Sequence, residues 1–270
     1  MQDLFNQAAH PAARNSETSP VPARPRLVQL PYAGAFRPPH ERDATQQRLP
    51  FTVDVVRSDL DMADAFQLAQ NAYGRHVPEM VYDSAIPGLA DLEPGYVVLI
   101  ARSKFDGTAV GTMKIQVNTH ERLNLERSVT LPDWLEGCSQ AGANRLGVSA
   151  GAAGRMVKLA LFKAYFLYCV ENEIDWMVIA ARKPLDRTYQ DLQFKDVFGP
   201  GEFVPLAHAA NIPHRVMAFE VATAEQRWRA AHHPLYDFIF ATRHPDIAVV
   251  QHQLSLPVTR QEEQHLSAAA

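Results

Sequence analysis

Regular alternation of hydrophobic and polar positions is confined to the middle of the chain. Residues 1–50 contain eight of the nineteen prolines, mixed with Arg, Gln, Ser and Thr, and show neither helical nor strand periodicity. Such a segment buries too little apolar surface to offset the entropy lost on ordering, and residues 251–270 are similarly polar. We therefore expect a flexible proline-rich tail at 1–50, a folded domain at 51–250 and a polar tail at 251–270.

Within 51–250, hydrophobic periodicity predicts both strands and helices. Alternating β-branched positions, or short apolar runs between turn residues, predict strands at 51–57, 96–101, 109–117, 145–148, 176–181 and 216–221. Helical spacing of apolar residues predicts helices at 59–74 with Asp59 as the cap, at 155–173, from Pro184 onward and within 235–241. This order predicts an α/β domain with a mixed sheet.

Turn-forming residues mark the connections between these elements. Phe105-Asp106-Gly107 predicts a hairpin that joins the strands at 96–101 and 109–117. A long irregular link is expected at 118–142, and the Gly- and Ala-rich stretch 149–154 predicts a turn into the long helix.

Composition and charge narrow the class of protein without naming a function. The apolar fraction of 47% and the charged fraction of 21% are ordinary for a globular domain and exclude the disordered, collagenous and membrane classes. A formal net charge of -4 gives no global basic field, so we expect no nucleic-acid partner. Any anion-binding site must therefore be local.

The sequence predicts a cytoplasmic protein with no membrane span. Residues 1–14 carry an acid and amides where a signal peptide would need a basic segment and an apolar run. The most apolar stretch, 156–170, is shorter than the roughly 20 residues that a spanning helix needs, and it contains two lysines. Cys138 and Cys169 lack metal-ligand spacing, so we expect both to be reduced thiols.

Motifs for metal, nucleotide and serine chemistry are not found. His76, His120, His208 and His214 do not form the i, i+4 pair with a third ligand that a helical zinc site uses, and His232 and His233 are adjacent and diverge. No Gly-Lys-Thr phosphate loop is present, and Ser139 and Ser149 lack the Gly-x-Ser-x-Gly elbow. We expect no bound metal and no serine nucleophile.

Residues 144–194 carry the most informative pattern. A strand, a small-residue turn, a long helix, a strand and a short helix ending in Tyr189-Gln190-Asp191-Leu192-Gln193-Phe194 follow one another. This order resembles the core of the GNAT acyltransferases. The resemblance implies a GNAT-like α/β fold, with a mixed, mostly antiparallel sheet flanked by helices. It also implies that the turn and helix N-terminus bind the pyrophosphate of coenzyme A, because unpaired N–H groups and the helix dipole favour anions there.

The phosphate-binding loop departs from the family pattern. Residues 150–156 keep Gly154 and Arg155 but carry Met156 where a close-approach glycine is expected. A donor carried by acyl carrier protein has a phosphopantetheine arm with a single phosphate and no adenosine, so it tolerates this change better than coenzyme A does. The loop therefore favours an acyl carrier protein donor over acyl-coenzyme A.

Four further motifs sharpen the resemblance over residues 53–220. Gly111-Thr112-Met113-Lys114-Ile115, Leu125-Glu126, Arg145-Leu146-Gly147-Val148 and Ala181-Arg182-Lys183-Pro184-Leu185, together with Tyr189, look like the N-acyl amino acid synthases, relatives of the acyl-homoserine-lactone synthases. The resemblance implies transfer of a long-chain fatty acyl group from an acyl carrier protein thioester to the amine of an amino acid or similar small molecule. No resident cofactor is implied.

The resemblance also assigns candidate catalytic residues. Arg145 matches the arginine that ends the family's strand signature, and Lys114 stands where the family often has a substrate-binding arginine. Tyr189 matches a tyrosine that can protonate the leaving thiolate. The signature glutamate is absent before Arg145, so the general base is left open between water, Glu126 and another group. Glu126 is also the expected partner of Arg145, since a buried arginine is normally paired.

The expected acyl-donor site combines strand, turn and helix residues. Its predicted members are Leu146, Val148, Gly154, Arg155, Lys158, Arg182 and Lys183. The basic members are expected to meet the phosphate arm and the acidic surface of an acyl carrier protein. An aromatic helix face is the candidate slot for the acyl chain; it consists of Phe162, Tyr165, Phe166 and Tyr168.

Three alternatives stay open at this point. They are an acyl-coenzyme A-dependent N-acetyltransferase, an acyl-homoserine-lactone synthase, and a catalytically inactive GNAT-like module that binds acyl carrier protein. The missing glutamate favours the inactive module, whereas Arg145, Glu126 and Tyr189 favour an enzyme.

Overall fold

The computed structural model describes residues 45–76 and 86–249. Its strands are β1 (Thr45–Gln46), β2 (Phe51–Val55), β3 (Tyr96–Ser103), β4 (Ala109–Val117), β5 (Gln140–Val148), β6 (Trp176–Ala181), β7 (Lys195–Asp196), β8 (Val204–Pro205), β9 (Pro213–Glu220), β10 (Thr242–Arg243) and β11 (Ile247–Ala248). Its helices are α1 (Asp59–His76), α2 (Ala152–Glu171), α3 (Leu185–Asp191), α4 (Ala224–Ala230) and a π-helix (Asp237–Ala241). Short 3-10 turns occupy Leu89–Asp91, Asn124–Arg127, Asp133–Leu135 and Ala207–Ala209.

A single large sheet organises the domain. Its strand order is β11-β2-β3-β4-β5-β6-β9-β7, with β8 also paired to β9. Neighbours are antiparallel except for two parallel pairs, β5 with β6 and β11 with β2. The predicted α/β fold, with a mixed and mostly antiparallel sheet flanked by helices, is therefore confirmed.

The hydrophobic core lies between this sheet and α2. Tyr165, Phe166 and Cys169 of α2 are almost fully buried against the sheet, and the Tyr165 hydroxyl donates to the Ala141 carbonyl on β5. Trp228 of α4 stacks on Phe162 at 6.3 Å between ring centroids. Cys138 and Cys169 are free thiols, and Cys138 is half-buried. None of the described helices is long and apolar enough to cross a membrane.

Helix α1 begins with a different cap from the predicted one. The Ser58 Oγ accepts the Asp61 N–H at 3.1 Å, which makes Ser58 the N-cap. Asp59 is the first helical residue, and its carboxylate accepts the Leu89 N–H at 2.7 Å. The predicted cap was therefore wrong by one residue. The Asp59 side chain instead connects the 86–91 segment to the helix.

The central strand β5 is longer than the sequence pattern predicts. It begins at Gln140 rather than at 145, because residues 141–144 pair with β4 and residues 140–143 pair with β6. The first part of this strand is rich in small residues, and its propensity for strand is low. Pairing on both edges overrides that propensity, so the expected irregular link ends at 139 instead of 142.

Residues 45–50, which the sequence assigns to the N-terminal tail, pack on the domain. Leu49 is buried, and Asp246 accepts the Leu49 N–H at 2.8 Å. Arg48 and Lys104 also pair with the Asp246 carboxylate, at 3.1 and 2.8 Å. The remainder of both predicted tails lies outside the described residues.

Candidate functional site

The middle of the sheet opens between two parallel strands. β5 and β6 pair from Gln140 and Trp176 as far as Ala143 and Ile179. Beyond that point β5 continues to Val148 and β6 to Ala181, yet the two strands no longer pair with each other. Each is held by its other neighbour, β4 or β9. The result is a V-shaped gap whose edges are strand backbone.

A β-bulge bends β5 where the gap begins. Thr112 lies opposite Gly147 and Lys114 opposite Asn144, so the single residue between them on β4 faces two residues on β5. Arg145 is one of those two and has a φ of 50°, a conformation that non-glycine residues seldom adopt. The bulge thus changes the direction of β5 at Arg145, the arginine predicted to be in the site.

Three cavities meet at this gap, and Arg145 lines all of them. We call them the polar cavity (370 Å³), the apolar cavity (250 Å³) and the entry cavity (230 Å³). The polar and entry cavities share a wall made of Tyr73, Ala143, Asn144, Arg145, Ala180 and His214.

Cationic and neutral polar side chains line the polar cavity. Lys114, Arg127 and Arg145 contribute positive charge, and no Asp or Glu of the described residues is in the lining. The Lys114 Nζ lies 4.0 Å from the centroid of the Tyr96 ring, a cation–π contact. Burial lowers the pKa of Lys114, and the neighbouring Arg145 lowers it further. The cavity is therefore suited to a small ligand with negative charge.

Two histidines also line the polar cavity. Burial lowers the pKa of His208, and the nearby His214 and Arg127 add to this effect. Burial likewise lowers the pKa of His214, which lies on β9 with its Nδ1 2.7 Å from the Ile212 carbonyl oxygen. Both rings are therefore neutral at neutral pH.

The apolar cavity lies between α1 and strands β3 and β4. Its apolar lining consists of Met62, Ala65, Phe66, Ala69, Leu92 and Val98. Lys114 and Arg145 stand at its border with the polar cavity. Close approach of α1 to β5 helps to shape this region, since a Cβ at Gly147 would lie only 3.1 Å from the Ala69 Cα.

The entry cavity brings together many of the predicted acyl-donor residues. Leu146, Val148, Lys158 and Arg182 line it, as does Tyr189. Burial raises the pKa of the Tyr189 phenol, and the neighbouring Tyr73 raises it further, so the hydroxyl stays protonated. The Tyr189 ring packs edge-on against Phe194 at 5.4 Å.

Other predicted site residues lie away from the cavities. The Glu126 carboxylate accepts the Leu123 N–H at 2.9 Å within its own 3-10 turn, and Glu126 lines none of the three cavities. This local bond argues against its predicted pairing with Arg145. Arg155 and Lys183 are exposed, and the Lys183 Nζ lies 5.0 Å from the Phe203 ring centroid.

Gly154 and the aromatic face of α2 have structural explanations instead. A Cβ at Gly154 would collide with the Ser149 carbonyl oxygen, so the turn into α2 requires glycine there. The predicted acyl slot is part of the core and lines none of the cavities; it comprises Phe162, Tyr165, Phe166 and Tyr168.

Some residues at the gap were missed by sequence reasoning. Tyr73, Asn144 and His214 all line the wall between the polar and entry cavities. One signal was available for His214. The sequence predicts a strand at 216–221, and if that strand pairs antiparallel with the strand at 176–181, its first residues lie beside residue 181. Within residues 45–76 and 86–249, no three His, Cys, Asp or Glu side chains form a cluster that could hold a metal ion.

Comparison with known proteins gives a similarity in fold. No protein-family model matches the sequence. No curated protein matches it either. Among solved structures, FeeM, an N-acyl amino acid synthase from uncultured soil microbes, superposes with a TM-score of 0.53 at 15% identity over 70% of this chain and 96% of FeeM.

Two further structures have lower scores. The coenzyme A-dependent acyl-homoserine lactone synthase BjaI has a TM-score of 0.47 at 13% identity, over 72% of this chain and 93% of BjaI. A putative N-acetyltransferase from Lactobacillus plantarum has a TM-score of 0.44 at 12% identity, over 64% of this chain and 99% of that protein. The similarity to FeeM shows that this chain shares the fold of an N-acyl amino acid synthase, as the resemblance predicts.

Proposed function

We propose that this protein is an N-acyltransferase that moves a long-chain fatty acyl group from an acyl carrier protein thioester to the amine of an amino acid or similar small molecule. The observation that carries the proposal is the meeting of three cavities of different character at the gap between β5 and β6, with Arg145 in the wall of each. A two-substrate transfer needs separate sites for donor arm, acyl chain and acceptor that converge on one point.

The entry cavity is assigned to the donor arm. Its lining includes the apolar side chains of Leu146, Val148 and Leu185, and Lys158 and Arg182 add positive charge. Such charges suit the single phosphate of a phosphopantetheine arm and the acidic surface of a carrier protein. We therefore place the thioester at the inner end of this cavity, beside Tyr189.

The polar cavity is assigned to the acceptor. The described residues of its lining include three cations and no carboxylate, which favours an amine that also bears an anionic group, as an amino acid does. Lys114 and Arg145 are assigned to that carboxylate. The apolar cavity, which shares these two residues at its border, is assigned to the acyl chain.

The chemistry is direct attack of the amine on the thioester carbonyl. Backbone N–H groups on the strand edges of the gap are positioned to polarise that carbonyl, since β5 and β6 do not pair with each other there. Tyr189 then protonates the leaving thiolate, a general-acid step that contributes about 10²- to 10⁴-fold in rate. No covalent acyl-enzyme is required.

The start of α2 supports a carrier-protein donor. Met156 lies in the first turns of α2 with 46% of its surface exposed and lines none of the three cavities. A side chain in this turn, where the family pattern has a close-approach glycine, hinders the approach of a pyrophosphate to the backbone N–H groups. Acyl-coenzyme A is the alternative donor, and the same assay tests it.

The decisive experiment presents both donors and many acceptors to the purified protein. Long-chain acyl carrier protein or acyl-coenzyme A is incubated with pooled amino acids, and N-acyl products are identified by mass spectrometry. We expect products from the carrier-protein donor and at least tenfold slower transfer to the carboxamides of the same amino acids. Transfer from neither donor would overturn the proposal. Transfer from coenzyme A alone would overturn the donor assignment.

A further inference from the structure

His214 occupies a position that connects the acceptor and donor sites. β9 runs antiparallel to β6, with Arg215 opposite Ala181, so His214 lies beside the last residues of β6 where the gap is widest. Its ring is buried, with 7% of the residue exposed, and it lines both the polar cavity and the entry cavity. Its ring therefore borders both of the cavities to which the acceptor and the donor arm are assigned.

The hydrogen bond at Nδ1 determines which nitrogen can accept a proton. Nδ1 lies 2.7 Å from the Ile212 carbonyl oxygen, and a carbonyl oxygen can only accept. Nδ1 therefore carries the hydrogen, and Nε2 of the neutral ring has a free lone pair. Within residues 45–76 and 86–249, no side chain or backbone group is hydrogen-bonded to Nε2.

The groups that face His214 favour the neutral ring. Arg182 precedes α3, and His208 lies in the 3-10 turn before β9. Tyr73 of α1, Arg145 of β5 and Tyr189 of α3 line the same cavities. None of these groups is a carboxylate that would stabilise an imidazolium, and burial lowers the pKa of His214.

Carboxylates are the usual alternative to histidine as a general base. No Asp or Glu of the described chain lines the polar or entry cavity, and Glu126 is engaged by the Leu123 N–H. The position before Arg145 is Asn144, which cannot act as a base at neutral pH. His214 is thus the basic group that borders both substrates.

We propose that His214 is the general base of the acyl transfer, an inference that rests on the proposed function. The neutral amine nitrogen forms a bond to the thioester carbon, and His214 Nε2 takes one of its protons. The C–S bond then breaks, and the thiolate receives a proton from Tyr189. Proton return from the His214 imidazolium to the Tyr189 phenolate through solvent restores both residues, so amine and thioester become amide and thiol.

Two substitutions separate this role from a structural one. In His214→Asn the side-chain amide replaces Nδ1 as donor to the Ile212 carbonyl but lacks a basic nitrogen. In His214→Ala the space is vacated for added imidazole. We expect kcat to fall about 10²- to 10⁴-fold in both variants with KM values changed less than about threefold, and imidazole to restore activity to His214→Ala in proportion to its neutral form. His120→Asn, which alters an exposed histidine that lines none of the three cavities, serves as the control and should keep the wild-type kcat.

The outcomes distinguish failure of the general-base role from failure of the proposed acyltransferase function. If His214→Asn keeps a kcat within threefold of the wild type, or imidazole fails to rescue His214→Ala, the general-base role is overturned while acyl transfer stands. If the wild-type protein transfers no acyl group, both proposals fall. Nitrogen NMR of the His214 ring gives a reading independent of turnover: the Nε2-protonated tautomer or an imidazolium at pH 7 would also overturn the role.

Discussion

Ala143 and Ile179 form the last residue pair between the two central parallel strands, and the sheet opens immediately beyond them. The next residue on β6, Ala180, is half-buried and borders both the polar and the entry cavity. The small side chains of Ala143 and Ala180 leave space at the gap. The shape of the site therefore depends on residues that carry no chemistry of their own.

Ala180→Phe should close the gap. The phenyl ring would fill the wall between acceptor and thioester, so we expect turnover to fall at least about 100-fold, since misplacement by about 1 Å can have that effect. Acyl transfer is measured with the substrates identified by mass spectrometry, and folding is checked by thermal unfolding. Ala230→Phe, at the exposed end of α4, is the matched control. Wild-type turnover in a folded Ala180→Phe protein would contradict the assigned location.

Tyr189→Phe tests the proton donor. The ring contact with Phe194 is retained while the hydroxyl is lost, so we expect kcat to fall about 10²- to 10⁴-fold with little change in KM. An aryl thioester, whose thiolate leaves without protonation, should recover most of the loss. Tyr236→Phe, a tyrosine outside the cavities, should behave as the wild type. Unchanged turnover of alkyl thioesters by Tyr189→Phe would show that the general-acid role is wrong.

Charge reversal tests the docking of the carrier protein. The double substitution of Lys158→Glu and Arg182→Glu should raise the KM for acyl carrier protein at least about tenfold, because attraction to an acidic partner becomes repulsion. The KM for acyl-pantetheine, which lacks both protein and phosphate, should change much less. Arg187→Glu with Lys195→Glu makes the same change in net charge at exposed positions outside the cavities. Equal effects of the two double variants would place the docking surface elsewhere.

His244 should make stability depend on pH. It is buried, its Nδ1 lies 2.9 Å from the Lys163 Nζ, and burial together with the Lys163 charge lowers its pKa to about 4 from 6.5. The unfolded chain therefore binds a proton that the folded chain excludes, so stability is lost as pH falls from 6.5 toward 4. The difference between pH 7 and pH 5 is about 2 kcal/mol.

Urea unfolding at the two pH values measures this effect. His244→Asn, which has no titrating ring, should lose about 2 kcal/mol less than the wild type between pH 7 and pH 5. His120→Asn, a substitution of an exposed histidine, should follow the wild type. Parallel losses in the wild type and His244→Asn would exclude His244 as the source of the pH dependence.

The local hydrophobic pattern predicted the strands whose bounds depend mainly on that pattern. The strands Ala109–Val117 and Trp176–Ala181 have the predicted bounds, because the first alternates polar and apolar residues and the second is a short apolar run. The first half of β5 was missed, since its small residues become a strand only through pairing on both edges. Helix α4 was not predicted; it is short, and Trp228 anchors it by burial in the core rather than by periodicity.

The residues of the candidate site also fall into two groups, those predicted from local motifs and those that only the fold brings together. Arg145, Leu146, Val148 and Tyr189 belong to motifs within one stretch of chain, and the structure brings them to one gap. Tyr73 and His214 come from elements far apart in sequence, so only the folded sheet places them in the same wall. Glu126 was predicted from the Leu125-Glu126 motif and as a carboxylate partner for Arg145. Its hydrogen bond with the Leu123 N–H depends on the geometry of the loop, which the sequence does not specify.

The parallel pairing of β11 with β2 has a consequence for synthesis on the ribosome. Val53 emerges early, but its neighbour Ile247 is translated about 200 residues later, as is Thr242, the partner of Thr45. Until then the outer edge of β2 presents bare N–H and C=O groups that can recruit strands from other nascent chains. Because this strand is translated late, we expect expression to depend on chaperones and products truncated before residue 242 to aggregate.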